Sequence, residues 1–279
     1  MSYKLCILAA GKGTRNQSID GLHKCLLPVG NKPVISQILD RFPKNIPVII
    51  ATGWKSDQVK SYINKVHQDR EISYVDIDNY DKPGAGPGYS LLACSQHLQE
   101  PFIFTAADTI IDDNFKDSLV NNWVGGSKVT EEESFRYCLM KTDDQNNFNG
   151  FYYGSGNAFC FTGIAGIFDY SSFWNSLKNS YKINGEHQVI NGFDKLKDIS
   201  IREHRFYDTG NEDSYRETKK AFPNNLAVEK DNEAIFIDNG LVVKYFSSEK
   251  KSNDRIKRYE QLINCAPKIC KINENIMTT

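Results

Sequence analysis

The chain lacks several features that would direct it to a membrane or to nucleic acid. It has no excess of one charge, because 34 Lys and Arg stand against 35 Asp and Glu, and the formal net charge is −1. Nucleic-acid coats and membrane-surface patches need a basic excess, so we expect neither as a partner. No apolar stretch approaches the roughly 20 residues of a membrane-spanning helix.

The cysteines lack the spacing of a metal or disulfide framework. There are seven, an odd number, and no two of them form a CxxC pair. This pattern argues against a structural zinc site and favours small core side chains in a reducing cytoplasm. The apolar residues 5–10 are too few for the core of a secretory signal, so we expect a cytoplasmic protein.

Apolar strands and amphipathic helices alternate in the first part of the chain. Because this rhythm is typical of βαβ units, the sequence predicts an α/β fold with a parallel sheet and helices on both faces. The predicted strands are residues 3–10, 47–52, 72–76 and 102–106, and the predicted helices are 33–41, 56–66 and 89–97.

The later part of the chain is less regular. A loop or hairpin is predicted over 143–156, strands over 159–168 and 199–206, and helices over 170–177, 187–196 and 211–222. Residues 223–225 suggest a boundary, which divides the chain into residues 1–225 and a small tail, 226–279. In the tail, Asn239-Gly240 separates two apolar runs and predicts a β-hairpin followed by a helix over 250–264.

Three patterns could carry chemistry. The segment Leu8-Ala-Ala-Gly-Lys-Gly-Thr-Arg15 places glycines and cations directly after a strand, which suits a phosphate chain but equally suits a tight turn. It is not a P-loop, since GxxxxGK[ST] is absent. Residues 84–88 (GAGPG) precede a helix and suggest close backbone approach to a ligand or simple helix capping. Asp108 and Asp208 each end an apolar strand, as metal ligands or turn formers would.

The residues LAAGKGTR, followed by HKCLLPVGNKP, resemble the nucleotidyltransferase family that includes sugar-1-phosphate nucleotidylyltransferases and phosphocholine cytidylyltransferases. The resemblance implies a Rossmann-like fold with a mixed, mainly parallel sheet flanked by helices. It also implies transfer of a nucleoside monophosphate from an NTP to a small phosphorylated acceptor, with release of pyrophosphate, in the synthesis of cell-surface polysaccharides. A homo-oligomer is compatible with it.

The resemblance assigns site residues by position. Catalytic roles fall to Lys24, Arg15 and Asp108, and Mg²⁺ is expected on Asp108 and Asp208, with the two carboxylates at one edge of the sheet. The nucleotide is expected to contact Leu8, Ala9, Ala10, Gly11, Gly13, Thr14, Arg15, Gly86, Gly88 and Ser90.

The acceptor and the base are less constrained. Glu186, Tyr152 and Trp174 lie where the family places the acceptor, and these two aromatics with Tyr153, Phe159 and Phe161 could form a cage for a quaternary ammonium or simply pack in the core. A Glu-Lys-Pro segment of many sugar-specific members is absent, and the nearest lysine, Lys141, lacks its flanks. Tyr-Ser-Leu at 89–91 resembles cytidylyltransferases and favours CTP.

Two alternatives stay open for the activity. One is a sugar-1-phosphate nucleotidylyltransferase that uses another NTP, and the other is a nucleotide-binding module without catalysis. The tail, with Lys244 in LVVKYF, resembles the first strands of choline-kinase or aminoglycoside-phosphotransferase domains. It is either a fragment of such a domain or a structural appendage.

Overall fold

The computed structural model describes residues 3–143, 147–183, 185–224, 230, 233–262 and 269–278. By contacts the chain forms two compact units, and each collects separate stretches of sequence. Unit 1 comprises Met1–Gly11, Arg41–Gly53 and Arg70–Phe206, and unit 2 comprises Lys12–Asp40, Trp54–Asp69 and Tyr207–Thr279. The predicted boundary at 225 falls among residues 225–229, outside the described residues, and stays a prediction.

The strands and helices follow in chain order. The strands are β1 (Lys4–Ala9), β2 (Pro28–Val29), β3 (Lys32–Pro33), β4 (Val48–Thr52), β5 (Ile72–Asp76), β6 (Phe102–Ala106), β7 (Thr109–Ile111), β8 (Trp123–Val129), β9 (Leu139–Thr142), β10 (Phe148–Tyr152), β11 (Ala158–Ile167), β12 (Ser200–Glu203), β13 (Phe206–Asp208), β14 (Glu233–Asp238), β15 (Leu241–Phe246), β16 (Cys270–Asn273) and β17 (Ile276–Thr278). The helices are α1 (Val34–Leu39), α2 (Ser56–Val66), α3 (Pro87–Ala93), α4 (Glu131–Ser134), α5 (Tyr170–Lys178), α6 (Glu212–Ala221) and α7 (Glu249–Gln261), with 3₁₀ turns at Lys24–Leu26, Ser95–His97 and Val189–Phe193.

Unit 1 is built on a mixed sheet of nine strands. Its parallel part has the order β5-β4-β1-β6, and β11 continues it in the antiparallel direction beside β6. Strand β4, VIIAT, is buried along its whole length, as a central strand covered on both faces must be. Strands β9 and β10 extend the sheet in antiparallel pairs on one path. On the other path β8 is antiparallel to β11, and β12 is parallel to β8. The predicted mixed, mainly parallel sheet flanked by helices is confirmed.

Aromatic side chains form much of the core on one face of this sheet. Phe102 of β6 stacks on Trp174 of α5 with ring centroids 5.0 Å apart, and Phe173 meets Phe193 edge to face at 5.5 Å. Large rings in such pairs bury much apolar area and add specific geometry. The strand β6 that leads to Asp108 is therefore rigidly supported from this face.

Unit 2 combines helices with a four-stranded antiparallel sheet of order β14-β15-β17-β16. Asn239 and Gly240 have φ of 46° and 77°, so they form the predicted tight turn between β14 and β15. The last residue of β14, Asp238, is buried and forms polar contacts with side chains outside the hairpin. Its oxygens accept from the Tyr62 hydroxyl at 2.9 Å and lie 3.1 Å from the Lys32 ammonium. Strand β14 of the tail is thus bonded to α2 through Tyr62 and to β3 through Lys32.

Some predicted elements differ from the structure. The helix expected over 187–196 is only a 3₁₀ turn, and Gly192 within it packs against the Phe173 ring, where any larger residue would clash. The strand expected over 199–206 is two short strands, β12 and β13. The sequence patterns do not indicate strands β16 and β17, which the structure contains.

The structure describes six of the seven cysteines. Six cysteines in the described part are free thiols, four of them buried, while Cys265 lies outside it. Within the described residues, no helix has the length and hydropathy that crossing a membrane would require.

Candidate active site

The carboxyl ends of three neighbouring strands of unit 1 meet at one edge. Leu8 pairs with Ala106, and Ala9 pairs with Thr52, so β1, β6 and β4 end side by side. The predicted nucleotide residues Leu8, Ala9, Ala10 and Gly11 leave this edge from β1, and Asp108 leaves it from β6. Because ligands of open α/β sheets bind at such edges, these residues are well placed for a nucleotide.

Close backbone packing shapes this edge. A Cβ on Gly53, which follows β4, would lie 2.6 Å from the carbonyl oxygen of Ala10 and 2.8 Å from the Tyr80 ring. Gly11 is exposed, and a Cβ there would meet nothing within 4 Å. The turn after β1 is therefore fixed on one side by Gly53 and open on the other.

The second glycine-rich segment, residues 84–88, packs on residue 182 and residues 186–188 of the same unit. The Gly88 N–H donates to the carbonyl of His187 at 2.9 Å, and Gly88 is buried. The absence of a side chain at Gly88 lets two backbones approach each other, and its predicted contact with the nucleotide stays a prediction. Gly86 also abuts His187, while Ser90 is buried and its N–H bonds back to Gly86 at 3.2 Å. Direct contact with the nucleotide stays a prediction for Gly86 and Ser90.

Glu186 lies in the partner segment. Its backbone bonds reciprocally with Ile183, at 2.9 and 3.0 Å, and its side chain is exposed and accepts from the Gln188 amide at 3.1 Å. The turn presents the carboxylate to solvent instead of using it as a helix cap. This position is compatible with the predicted acceptor contact, which stays a prediction.

The expected aromatic cage is only partly assembled. Tyr152 and Tyr153 line a cavity of about 530 Å³ in unit 1, together with Tyr181, Asp194 and Asp198. The three last-named residues were not singled out from the sequence, because they come from polar turns without a motif. A cavity lined by tyrosines and carboxylates suits a cationic group.

Trp174 does not belong to that cavity. It is 3% exposed, its indole N–H donates to the Leu98 carbonyl at 3.0 Å, and its ring stacks on Phe102. The acceptor role predicted for Trp174 is therefore corrected to core packing. Phe161 likewise packs on Phe151, and Phe159 lies under the Lys128 ammonium.

In unit 2, the predicted phosphate-binding loop brings a glycine and a lysine together. Gly13 has φ of 63°, and a Cβ there would lie 2.9 Å from Cδ of Lys24. Gly13 thus provides both the left-handed turn and the space along which the Lys24 stem runs. Thr14 and Arg15 between them are exposed, and Lys24 is half-buried. The glycine-rich loop consequently carries Arg15 and packs against the stem of Lys24, the two cations of the predicted site.

Asp208 lies at the end of β13, within unit 2. One of its oxygens accepts the Gly210 N–H at 2.7 Å, and its backbone carbonyl accepts the Thr218 hydroxyl at 2.8 Å. A carboxylate keeps further acceptor positions after such a bond, so this geometry fits both a turn former and a magnesium ligand.

The described residues contain no group of three His, Cys, Asp or Glu that could hold a metal. A magnesium site that includes Asp108 or Asp208 would therefore need phosphate oxygens and water to complete its octahedron, as Mg²⁺ sites often do. Carboxylate oxygens fit that chemistry. The metal and the sharing of one ion by both residues stay predictions.

Comparison with known proteins bears on the fold that carries these residues. Residues 5–139, just under half of the chain, match the model of the MobA-like NTP transferase domain. UDP-glucose pyrophosphorylase in complex with UDP-glucose superposes with a TM-score of 0.66 at 18% identity, over 80% of this chain and 98% of that one. The fold is a nucleotidyltransferase fold. CTP:phosphocholine cytidylyltransferase (LicC) from Streptococcus pneumoniae gives a TM-score of 0.64 at 20% identity, over 80% of this chain and all of that one.

The curated relatives are longer proteins. The bifunctional protein GlmU of Methanococcus aeolicus is 27% identical over 146 residues, which cover 50% of this chain and 33% of that protein. The chain matches a third or less of the length of the curated relatives.

Proposed function

We propose that the chain transfers a nucleoside monophosphate from an NTP to a small phosphorylated acceptor and releases pyrophosphate. The observation that carries the proposal is the loop in which Gly13 accommodates the stem of Lys24. Both reactants are anions, so a cation held in a preorganised position is what the reaction needs most from the protein. The match of residues 5–139 to an NTP transferase domain supports the same reaction class.

In this proposal an acceptor phosphate oxygen attacks the α-phosphorus of the NTP in line. The new P–O bond forms as the bond from the α-phosphorus to the bridging oxygen breaks, and pyrophosphate leaves with that electron pair. Lys24 and Arg15 neutralise the phosphates, and backbone groups of residues 8–13 contact the nucleotide. Magnesium, when bound through Asp108 and Asp208, would supply further neutralisation of phosphate oxygens.

For the acceptor we favour a phospho-alcohol with a cationic head, such as phosphocholine, and CTP as the donor. The cavity lined by Tyr152, Tyr153 and Tyr181, with Asp194 and Asp198, supports the choice, since tyrosine faces and carboxylates attract ammonium groups. The rival is a sugar 1-phosphate with another NTP. The name and the bound ligand of UDP-glucose pyrophosphorylase, which shares the fold, both refer to a nucleotide sugar, UDP-glucose.

A pyrophosphate-release assay tests both levels of the proposal. Four NTPs are combined with phosphocholine, other phospho-alcohols and a panel of sugar 1-phosphates, and wild type is compared with Tyr152→Ala. We expect release with CTP and phosphocholine, and a raised KM for phosphocholine in the variant. Release only with sugar phosphates would support the rival acceptor, while nucleotide binding without any release would indicate the inactive binding module.

The tail carries a second candidate. A cavity of about 250 Å³ in unit 2 is lined by four cations and one acid: Lys230, Lys244, Arg255, Arg258 and Glu233. Lys244 donates to the Tyr259 hydroxyl at 3.0 Å. This charge balance favours an anion, and it supports the resemblance of the tail to the start of a small-molecule kinase domain. Loss of ATP binding by calorimetry in Lys244→Ala but not in Lys271→Ala would support it, and equal binding by both would refute it.

A further inference from the structure

The loop that carries Arg15 and Lys24 is held from outside by side chains of distant segments. The Tyr245 hydroxyl donates to the carbonyl of Asp20 at 3.0 Å, across 225 residues of sequence. From α2, the Gln58 amide donates to the Gly21 carbonyl at 3.0 Å. The same side chain accepts the His23 N–H at 3.2 Å. Three backbone groups immediately before Lys24 are thus tied to two side chains.

Both of these side chains are buried. Tyr245 is 0% exposed and Gln58 is 7% exposed, so the side-chain partner in each hydrogen bond is shielded from water. The bond to the His23 N–H is itself buried, and the bonds to the carbonyls of Asp20 and Gly21 are partly buried. The surroundings raise the pKa of Tyr245, chiefly through burial, which keeps its hydroxyl a donor over the whole working pH range. A third donor, the Lys55 ammonium, also bonds to the Gly21 carbonyl.

Gly21 is what lets the loop come so close. Its φ is 70°, and a Cβ on it would lie 2.9 Å from the Tyr245 hydroxyl oxygen and 3.0 Å from the Lys55 ammonium. Only glycine combines this positive φ with the small volume that the two neighbouring side chains leave, without strain. Gly21 therefore allows residues 20–23 to pack closely against Tyr245 of strand β15.

We propose that Tyr245 and Gln58 are positioning residues for Lys24, which makes hairpin β14–β15 a working part of the transferase loop. This inference rests on the proposed function and deepens it. Surface loops are mobile unless their backbone is bonded, and a misplaced cation stabilises a transition state poorly. Tyr245 and Gln58 touch no reacting atom. They act through the backbone of residues 20–23, which leads directly into the 3₁₀ turn that begins at Lys24.

The test uses Tyr245→Phe in the full chain, which removes the hydroxyl and keeps the ring. The matched control is Tyr215→Phe, because Tyr215 is also buried and its hydroxyl also donates to a carbonyl, that of Pro28, at 2.8 Å. Amide hydrogen exchange of peptides covering residues 16–26 is measured for both variants, together with kcat and KM for pyrophosphate release.

We expect exchange in residues 20–24 to accelerate about tenfold in Tyr245→Phe and to stay at the wild-type rate in Tyr215→Phe. The kcat should fall about tenfold with little change in the KM of either substrate, as for an interaction made only in the transition state. Gln58→Leu should show the same pattern.

Two results would overturn the proposal. One is unchanged exchange in residues 20–24, and the other is faster exchange spread over all four tail strands, which would make Tyr245 an ordinary core residue. Because exchange is measured without substrate, it decides the positioning role even where wild type releases no pyrophosphate. Failure of the proposed function is then recognised separately, from the assay of wild type alone.

Discussion

Lys24 is the residue on which the proposed chemistry depends most. Its stem runs past Gly13, and its backbone begins a 3₁₀ turn, so local structure guides both the backbone and the aliphatic stem of this residue. We expect Lys24→Ala to lower kcat about 100- to 1000-fold, the usual cost of removing a preorganised charge from a transition state. The thermal midpoint should change little, since the side chain is only half-buried.

The control for this substitution is Lys220→Ala. Lys220 lies on α6, pairs with Glu217 at the surface and has a side chain that is 67% exposed. Both variants are assayed for pyrophosphate release and for thermal unfolding. A Lys24→Ala enzyme with the turnover of wild type would reduce this lysine to a loop charge.

The acidic pair makes a separate prediction about metal. Asp108→Asn and Asp208→Asn each remove one carboxylate that we expect to bind Mg²⁺, so each should abolish turnover while leaving metal-free nucleotide binding in place. Calorimetric titration of Mg²⁺ into the protein–nucleotide complex measures the effect directly. Asp213→Asn, at a side chain that is 85% exposed, is the matched control. Full activity of wild type in excess EDTA would contradict the metal site.

At the scale of the element, the loop after β1 depends on a left-handed glycine. Gly13→Ala should destabilise the fold by roughly 1 kcal/mol because a Cβ is disfavoured at positive φ. It should also lower kcat about ten- to hundredfold, since the new methyl group would displace the Lys24 stem.

Gly240→Ala separates these two effects. Gly240 also has positive φ, 77°, but a Cβ there would meet nothing within 4 Å. Chemical unfolding should therefore show a similar loss of stability in both variants, and the activity assay should show a loss only in Gly13→Ala. Equal kcat values for the two variants would show that the contact between Gly13 and Lys24 has no bearing on turnover.

The elements that could be predicted from sequence are those whose pattern is local. Strands β5 and β6 and helix α2 have the predicted bounds, because each is a short apolar run or a clear amphipathic stretch. The 3₁₀ turn Val189–Phe193 was predicted as a longer helix, since its apolar spacing is helical while the contact between Gly192 and Phe173 is tertiary.

The same distinction applies to the candidate site. The glycines, cations and acids of the first motif stand out because their residue types carry the chemistry. Tyr245 and Gln58 do not stand out, because they bond to the backbone carbonyls and N–H groups of residues 20–23, and a backbone group leaves no trace in the residue types of its own segment. Trp174 was placed in the site for the opposite reason: aromatic residues serve cores and ligands alike, and only its burial decides.

At the scale of the whole molecule, each unit contains a buried titratable group that links folding to pH. In unit 2, burial would raise the pKa of Asp238, but hydrogen bonds from Ser36, Tyr62 and Lys32 and the charge of Lys32 outweigh it and lower the pKa. The folded state therefore gains stability from ionised Asp238 above the ordinary carboxyl pKa of about 3.9 and loses it as the pH falls through the lower folded value.

In unit 1 the corresponding group is His204, which changes the stability of the fold at a higher pH than Asp238 does. His204 is buried, its Nε2 lies 2.7 Å from the Thr162 hydroxyl, and burial lowers its pKa from 6.5 to about 4. A Cβ on Gly125 would lie 2.6 Å from the imidazole, so the ring has little room to rotate towards water. The unfolded chain binds the proton near pH 6.5 and the folded chain only near pH 4.

Stability contributed by neutral His204 is consequently complete above pH 6.5 and is lost as the pH falls to about 4, by about 3 kcal/mol in total. Denaturant unfolding of wild type and His204→Gln is compared at pH 7, 5.5 and 4, since glutamine can still bond to Thr162 but does not titrate. The free energy of unfolding should fall more steeply for wild type than for His204→Gln between pH 7 and 4, so the variant should gain stability relative to wild type as the pH falls. Parallel pH profiles would mean that His204 is protonated in the folded protein as readily as in the unfolded chain.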